Sequence, residues 1–424
     1  YSKKKKTFEY KFKINDKKKY EYYKNIFNLT SKRIFIDKSI IKDKDIFYEM
    51  CSTHYDFIKK NNISHITYWA SPHFHFGVSL FCVGELLNLK QYILHETGID
   101  NTFIVRKNWF SHHKYMINRS NHNIIYKYLE KNVISGKSKK SRFLQFNDLY
   151  GEKFFLIHFF IFLIKKILRI ILINNNDKDA YFIYLDNHPR LKEAYLRSRM
   201  LINQLYTYFY FNYFISKKKV NLKEKYIYFS LHVEPERTMV PEGGIFHDQI
   251  RAIKLLRKSI PSNVKIYVKE HPNQFWLKDA CIDVQFFKGI QFYKEIKKIK
   301  NVELINNKTK ADQLIKNAIC TATITGTAGW ESIRMNNKAI TFGFPWYSDH
   351  KDCLCITSDN KETQKTIYEF LFKKKITGEK YFHNYLKFIN KHLVEAETWE
   401  NFIKAPKNLG MVKKLFAKKF IKLF

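Results

Sequence analysis

The spacing of apolar residues is most regular in the second half of the chain, from about Asn221 onwards. Short apolar runs there predict strands at residues 226–231, 264–269, 302–305, 318–323 and 339–342. The intervening segments carry apolar residues three and four positions apart, which predicts helices at 248–258, 289–299, 310–317 and 328–335. Strands and helices that alternate at this spacing predict a parallel sheet with helices on both faces.

The first half of the chain is richer in Tyr and Lys, and its pattern is less regular. Apolar runs predict strands at 63–69 and 91–95, and the apolar segment 76–88 between them predicts a helix. This order predicts a βαβ unit. Because a chain of 424 residues exceeds what one ordinary hydrophobic core supports, we predict two α/β domains, 1–215 and 221–385, followed by C-terminal helices at 386–424.

Two further segments have the character of membrane-surface helices. Residues 154–173 are long and apolar but contain Lys165, Lys166 and Arg169, and each cation would cost about 2.5–3.5 kcal/mol at a bilayer centre. We therefore predict that this segment does not span a membrane. Residues 411–424 place lysines on one stripe and Val, Phe and Leu opposite, as in a basic amphipathic helix. Each segment fits either an anionic membrane surface or the protein's own surface, and together they favour peripheral membrane attachment.

Composition adds a strong positive charge. The chain has 76 Lys+Arg against 39 Asp+Glu, a formal net charge of +37, and such a field attracts nucleic acid, anionic lipid or a phosphorylated substrate. Part of the excess Lys reflects a composition saturated with Lys, Asn, Ile, Phe and Tyr. The 6 cysteines are dispersed without a CxxC pair, so no zinc site is predicted. Free thiols fit a reducing compartment, and the first residues contain no apolar signal core, so we expect a cytoplasmic location.

Three loops that follow predicted strands of the second half carry the polar residues that can form a site. Ligands of open parallel sheets bind at the carboxyl ends of the strands, so these loops are expected to meet. The first loop contains His232, Glu234, Pro235, Glu236 and Arg237. The second contains Lys269, Glu270, His271 and Pro272, and the third contains Thr325, Gly326 and Thr327 and leads into a helix that carries Glu331.

Each loop has a chemical interpretation and a plain structural alternative. The two carboxylates around Pro235 suit sugar hydroxyls or proton transfer, or they form an ordinary charged turn. His271 suits a phosphate or a leaving oxygen. The third loop opens a helix whose free N–H groups favour an anion, with Glu331 in reach of a ribose diol, or its threonines simply cap that helix. Convergence of the three favours a nucleotide phosphate, and the missing GxxxxGK[ST] pattern disfavours an NTPase.

The same residues resemble the capsule polysaccharide biosynthesis family, whose members include β-Kdo transferases. The resemblance rests on 228–236, 267–272 and 324–331, with Gly343 to Tyr347 similar to the strand end that follows, and it covers roughly 226–347. It implies a GT-B fold of two Rossmann-like domains with parallel sheets, a location at the cytoplasmic face of the inner membrane, and a CMP-activated acidic 2-keto sugar as donor. It further implies that His271 and the Thr325–Thr327 loop bind the CMP phosphate and that Glu236 lies at the donor. The chain departs from many relatives in having Glu234 where they have Gln.

The expected reaction is sugar transfer to a glycan or glycolipid acceptor. Lys269, His271, Arg237 and a helix start can neutralise the donor's carboxylate and phosphate, so we predict a reaction without metal or cofactor. Because the acceptor side of a GT-B enzyme lies in the first domain, Glu96, near His95 and His73, is the candidate base or nucleophile, with an ordinary loop glutamate as the alternative.

Two other readings of the sequence stay open at this point. A UDP-hexose or CDP-glycerol donor would fit the same scaffold. The charge of +37 allows a basic nucleic-acid-binding protein, but the lysines are spread along the chain and no RNP, KH or zinc pattern is present. We therefore predict a nucleotide-sugar partner and no nucleic-acid partner.

Overall fold

A computed structural model describes residues 14–31, 46–99, 102–112, 164, 202–203, 206–211, 213, 220–234, 236–271, 274, 288–307 and 309–395. The predicted membrane-surface segments, 154–173 apart from Ile164 and 411–424, lie outside these residues, as do Pro235 and Pro272. Within the described ranges, no helix is long and apolar enough to cross a membrane.

The first unit is an α/β layer with a mixed sheet. Its helices are α1 (Lys17–Ser31), α2 (Ile46–Lys60) and α3 (His75–Leu86), and its strands are β1 (His65–Tyr68), β2 (Lys90–Glu96) and β3 (Thr102–Arg106). β1 and β2 are parallel with α3 between them, which confirms the predicted βαβ unit. β3 is antiparallel to β2, unlike the predicted parallel sheet, because the chain between Glu96 and Thr102 is too short for the crossover that parallel strands need.

The second unit is a six-stranded parallel sheet, as its apolar pattern predicts. Its strands are β4 (Tyr226–Ser230), β5 (Lys265–Lys269), β6 (Val302–Ile305), β7 (Cys320–Thr323), β8 (Lys338–Thr341) and β9 (Cys353–Cys355). Its helices are α4 (Gln249–Lys258), α5 (Ile290–Lys297), α6 (Ala311–Asn317), α7 (Thr327–Arg334) and α8 (Lys361–Phe372). The strands carry almost continuous buried side chains because helices cover the sheet.

The order of the strands creates a crevice in the second sheet. The chain runs outward from β4 to β5 and β6, and then returns to place β7, β8 and β9 on the other side of β4. The direction of winding therefore reverses between β4 and β7, and the loops after these two strands diverge from each other. Such a switch point is where open α/β sheets bind ligands.

The two units share a hydrophobic cluster. Ile99 and Ile104 of the first unit pack with Trp330 and Trp346 of the second, together with helix α9 (Glu379–Asn390). Strand β10 (Leu393–Glu395) follows α9 and pairs antiparallel with β3. The segment 386–424, predicted to be helical, thus begins by completing α9 and then adds a strand to the first sheet. The α/β class is confirmed, and the predicted domain bounds stay predictions.

Candidate functional site

The three loops singled out in the sequence meet at the carboxyl edge of the second sheet. Ser230 at the end of β4 is in register with Lys269 at the end of β5 and with Thr323 at the end of β7. The chain therefore leaves three neighbouring strands at one level, and it continues at once to His232, His271 and Thr325. The convergence expected of loops that follow parallel strands is confirmed.

His232 is the hub that joins two of these loops. Its backbone N–H donates to Gln249 Oε1 at 2.8 Å, and its Nε2 accepts from the Thr325 backbone N–H at 3.1 Å. Its Nδ1 lies 3.2 Å from Thr238 Oγ1. Burial, reinforced by electrostatic repulsion from His271 and Lys288, lowers the pKa of His232 to about 3. The ring is therefore neutral and both nitrogens have protein partners, while its predicted contact with a ligand stays a prediction.

Gly326 allows the third loop to pack against that ring. A Cβ at this position would lie 3.0 Å from His232 Nε2 and 2.8 Å from Thr323 Oγ1, so the absence of a side chain at Gly326 makes room for the His232 ring. Gly326 is also the N-cap of α7, and no side chain caps the helix. Thr327, the first residue of α7, is exposed. The amide groups at the start of this helix are thus not covered by a capping side chain.

Lys269 and Glu331 are two charged residues near the start of α7. Burial lowers the pKa of Lys269, against the attraction of Glu331 and Asp312. Burial also raises the pKa of Glu331, against the attraction of Arg334 and Lys269. Within the described part of the chain, neither side chain forms a hydrogen bond or ion pair with another residue. They are therefore available to a ligand at the edge where the sequence analysis expected one.

His271 is neutral in the unliganded site. Burial, followed by repulsion from Lys288 and Lys269, lowers its pKa to about 4. Its backbone N–H donates to Glu270 Oε1 at 2.7 Å, and its carbonyl accepts from the Gln274 N–H at 3.0 Å. An anion beside the ring would favour its protonated form. His271 can therefore gain a proton when a phosphate binds.

A buried ion pair lies beneath the two histidines. Lys288 Nζ is 2.8 Å from Glu270 Oε1 and also donates to the His232 carbonyl, while Tyr293 Oη donates to Glu270 Oε2 at 2.7 Å. Lys288, Tyr293 and Gln249 were not predicted from the sequence. Only Gln249 left a signal, because it is a polar residue on the apolar stripe of α4 that Ala252, Ile253 and Leu256 form.

The loop after β4 separates the two carboxylates for which the sequence suggested a joint role. Glu234 is buried, its Oε1 accepts from Gln249 Nε2, and burial raises its pKa. Glu236 is exposed, and its Oε2 accepts from Thr238 Oγ1 at 2.8 Å. Glu236 is thus the carboxylate of this loop that a substrate can reach, whereas Glu234 belongs to the protein interior.

Glu96 is exposed at the end of β2, on the first unit. Gly98, two residues further, faces Trp346 and Trp330, and a Cβ there would lie 3.5 Å from Trp346 Nε1 and 3.8 Å from Trp330 Cδ1. Because Trp330 belongs to α7, the loop that carries Glu96 borders the helix that opens the site. The nearby His95 is buried, and His73 Nδ1 lies 2.9 Å from the Ser71 carbonyl.

A second charged cluster, which the sequence did not suggest, lies where the units meet. Glu242 Oε1 is 3.4 Å from Arg237 Nε and 3.8 Å from His95 Nδ1. Arg106 is buried, donates to the Phe344 carbonyl at 3.0 Å, and has its pKa lowered to about 10 by burial against the attraction of Glu242 and Asp349. Neither carboxylate oxygen of Glu242 accepts a hydrogen bond from a described residue.

Fold and site together define a two-unit α/β protein with a cationic, ligand-accessible edge at its topological switch point. Residues 173–389 of the 424 match the family model for the capsule polysaccharide biosynthesis protein. The chain therefore belongs to the capsule polysaccharide biosynthesis family. No curated protein matches the chain.

Solved structures with a similar general architecture include two transferases and an epimerase. The KpsC beta Kdo 2,7 transferase of Thermosulfurimonas dismutans is 11% identical, with 84% of this chain and 92% of that chain covered and a TM-score of 0.33. The beta Kdo 2,4 transferase of the same KpsC is 13% identical, with coverages of 83% and 96% and a TM-score of 0.31. A UDP-GlcNAc 2-epimerase from Methanocaldococcus jannaschii is 14% identical, with coverages of 79% and 77% and a TM-score of 0.28. None of these values bears on the reaction.

Proposed function

We propose that this member of the family is a glycosyltransferase of surface polysaccharide synthesis. Its donor would be a CMP-activated acidic 2-keto sugar, of the Kdo or sialic acid type, and its acceptor a glycan or glycolipid. The observation that carries the proposal is the meeting of Lys269, His271 and the start of α7 at the switch point of the second sheet.

The single phosphate of a CMP-sugar fits the positive groups at this edge. The first turn of α7 offers backbone N–H groups and the positive end of a helix dipole. Lys269 supplies a charge that no described residue neutralises by an ion pair. His271 has its pKa lowered to about 4 in the free protein and gains a proton as the phosphate approaches. Thr327 adds an exposed hydroxyl at the first position of the helix.

Two further side chains suit the remaining polar groups of such a donor. Glu331, in the first turn and a half of α7, can accept hydrogen bonds from the ribose hydroxyls. Arg237 contacts Glu242 through Nε at 3.4 Å, which leaves the terminal nitrogens of its guanidinium for the carboxylate of a 2-keto acid sugar. A guanidinium presents parallel donors to a carboxylate, so Arg237 would favour acidic over neutral sugars.

In the proposed reaction the bond between the sugar and the phosphate breaks, and CMP leaves as an anion. Protonated His271, Lys269 and the α7 dipole would stabilise the charge that develops on the leaving phosphate. Glu236 would act at the donor sugar from the exposed part of its loop. Glu96 would act from the first unit as base or nucleophile on the acceptor side. The positive groups of the chain can supply this stabilisation themselves, so we propose that transfer survives EDTA and needs no added Mg²⁺ or Mn²⁺.

Peripheral attachment to the anionic cytoplasmic face of the inner membrane is part of the proposal. The formal net charge of +37 supports it, because lysines near an anionic surface each contribute about 1 kcal/mol. Co-sedimentation with vesicles that contain anionic lipid, and none with neutral vesicles, is the expected result. Equal binding to both would contradict the electrostatic mechanism.

A thermal-shift titration with CMP, UMP, UDP and CDP tests the donor. A ligand that binds only the folded state stabilises it by about 2.7 kcal/mol at a hundredfold excess over Kd. We expect selective stabilisation by CMP, lost in His271→Ala and retained in His383→Ala, which changes an exposed histidine on α9. A response to UDP or CDP instead would keep the site and replace the donor by a UDP-hexose or CDP-glycerol. No response to any nucleotide would refute the assignment.

A further inference from the structure

We infer that Thr238 is a positioning residue, which joins the ring of His232 to the carboxylate of Glu236 and holds that carboxylate in one orientation. The inference rests on the proposed function, because Glu236 matters for catalysis only if it faces the donor sugar. The inference is based on a continuous path of hydrogen bonds from the buried His232 ring to the exposed carboxylate. His232 Nδ1 lies 3.2 Å from Thr238 Oγ1, which in turn lies 2.8 Å from Glu236 Oε2.

The direction of each proton along this path follows from one fixed donor. The Thr325 backbone N–H can only donate, and it points at His232 Nε2 from 3.1 Å. Nε2 must therefore carry a lone pair. Since burial keeps the ring neutral, its one proton is on Nδ1. Nδ1–H then donates to Thr238 Oγ1, and the single hydroxyl proton of Thr238 is left for Glu236 Oε2.

The remaining contact of His232 is compatible with this assignment. Thr323 Oγ1 lies 3.1 Å from Nε2, and the same hydroxyl donates to the Ser230 carbonyl at 3.2 Å. The hydroxyl therefore has an acceptor other than the ring, and it does not require a proton on Nε2. The tautomer of His232 with its proton on Nδ1 is therefore compatible with all four groups along the path. These are the Thr325 N–H, the hydroxyls of Thr238 and Thr323, and the carboxylate of Glu236.

Thr238 is itself held in place from two sides. Its carbonyl accepts from Thr325 Oγ1 at 3.2 Å. The turn that contains it closes through hydrogen bonds from the Met239 and Val240 N–H groups to the Glu236 carbonyl at 3.0 and 3.1 Å. Thr238 is thus hydrogen-bonded to the third loop, which opens α7, while the turn fixes it relative to the Glu236 backbone.

The consequence is that an exposed carboxylate behaves as a preorganised group. An exposed Glu side chain ordinarily samples several rotamers, and ordering it during the reaction would raise the barrier. Here the hydroxyl of Thr238 donates to Oε2 and fixes the orientation of the carboxylate. A positioning role of this kind affects the rate of transfer more than the binding of the donor.

Kinetics of two variants test the role of the hydroxyl. Thr238→Val removes the hydroxyl and keeps the shape, while Thr238→Ser keeps the hydroxyl and removes the methyl group. We expect Thr238→Val to lower kcat by about 10- to 100-fold, with the KM for the CMP-sugar changed by about twofold or less. Thr238→Ser should retain most of the wild-type kcat. Equal losses in both variants, or a loss confined to KM, would overturn the positioning role.

The state of His232 can be measured without any transfer activity. In ¹⁵N-histidine-labelled protein, identified by comparison with His232→Gln, the His232 ring should show the neutral tautomer with its proton on Nδ1 at neutral pH and should not titrate near pH 6.5. Thr238→Val should alter these signals, because Nδ1–H loses its acceptor. A proton on Nε2, or ordinary titration, would overturn the inference even if CMP-sugar transfer is found. Absence of transfer with the expected tautomer would instead refute the proposed function, so the two failures are distinguishable.

Discussion

Two carboxylates of the second unit, those of Glu270 and Glu242, are buried to a similar degree but differ in the hydrogen bonds that they accept. Glu270 is 1% exposed and is hydrogen-bonded by Lys288, by Tyr293 and by the His271 N–H. Glu242 is 4% exposed, with Arg237, His95 and Arg106 around it, yet its oxygens accept no hydrogen bond from a described residue.

The difference follows from where the partners come from. Glu270, Lys288 and Tyr293 all belong to the second unit, so folding of that unit brings them together once. The Glu242 cluster combines residues of both units, because His95 and Arg106 lie on β2 and β3 of the first. Interfaces between domains are generally smaller and more mobile than cores. We therefore expect the first cluster to support stability and the second to respond to movement of the units.

The largest effect is expected when the cation of Lys288, which lies beneath His232 and His271, is removed. In Lys288→Met the free energy of unfolding should fall by about 3–5 kcal/mol, because Glu270 remains buried without its partner charge. Urea unfolding followed by circular dichroism measures it. The control is Lys298→Met, which removes the cation of an exposed pair 2.7 Å from Glu295 and should leave stability unchanged. A Lys288→Met protein as stable as wild type would contradict the view that the cluster of Glu270, Lys288 and Tyr293 supports stability.

The cluster between the units should tolerate substitution better. Glu242→Gln keeps the shape of the side chain and removes the charge of a carboxylate whose oxygens accept no hydrogen bond from a described residue. We therefore expect the free energy of unfolding to fall by about 1–2 kcal/mol, mainly because the attraction to Arg106 weakens. The same urea titration provides the measurement. A loss as large as that of Lys288→Met would erase the distinction between the two clusters.

Binding of CMP should become tighter as the pH falls, because burial, followed by repulsion from Lys288 and Lys269, keeps His271 deprotonated in the free protein. The pKa of His271 is about 4 in the free protein, and a bound phosphate raises it. The complex then carries a proton that the free protein lacks, so affinity rises as pH falls between the pKa in the complex and about 4, by at most about tenfold per pH unit. Calorimetry in buffers of different ionisation enthalpy measures the proton taken up. His271→Gln should keep only the pH dependence of the phosphate, and an identical profile in both proteins would refute this coupling.

The smallest effect is expected for an exposed contact between the units. His112 Nδ1 lies 3.0 Å from Asp349 Oδ1, and the side chain of His112 is 60% exposed. Exposed pairs are screened by water and salt, so His112→Gln should change the free energy of unfolding by at most about 0.5 kcal/mol. A clearly larger change would mean that this contact, and not the Glu242 cluster, holds the units together.

Most of the second sheet was predictable, and the reasons are physical. Its strands are buried on both faces and therefore read as continuous apolar runs, which the turn residues bound clearly. Strand β9 was missed because it is three residues long and half-buried. The antiparallel direction of β3 was not predicted, because its apolar pattern gives no sign that the chain reverses after β2.

The sequence by itself determined that the second unit is a parallel sheet of alternating strands and helices, and hence that the loops at Lys269, His271 and Thr325 lie at one edge, because the carboxyl ends of parallel strands share it. Only the tertiary structure decided which polar side chains are buried there. Lys288 and Gln249 lie far from their partners along the chain, and the Glu242 cluster joins residues of two units. The burial that makes His232 neutral and separates Glu234 from Glu236 is a property of the packed chain, because local sequence specifies which groups are present but not which of them lose their water.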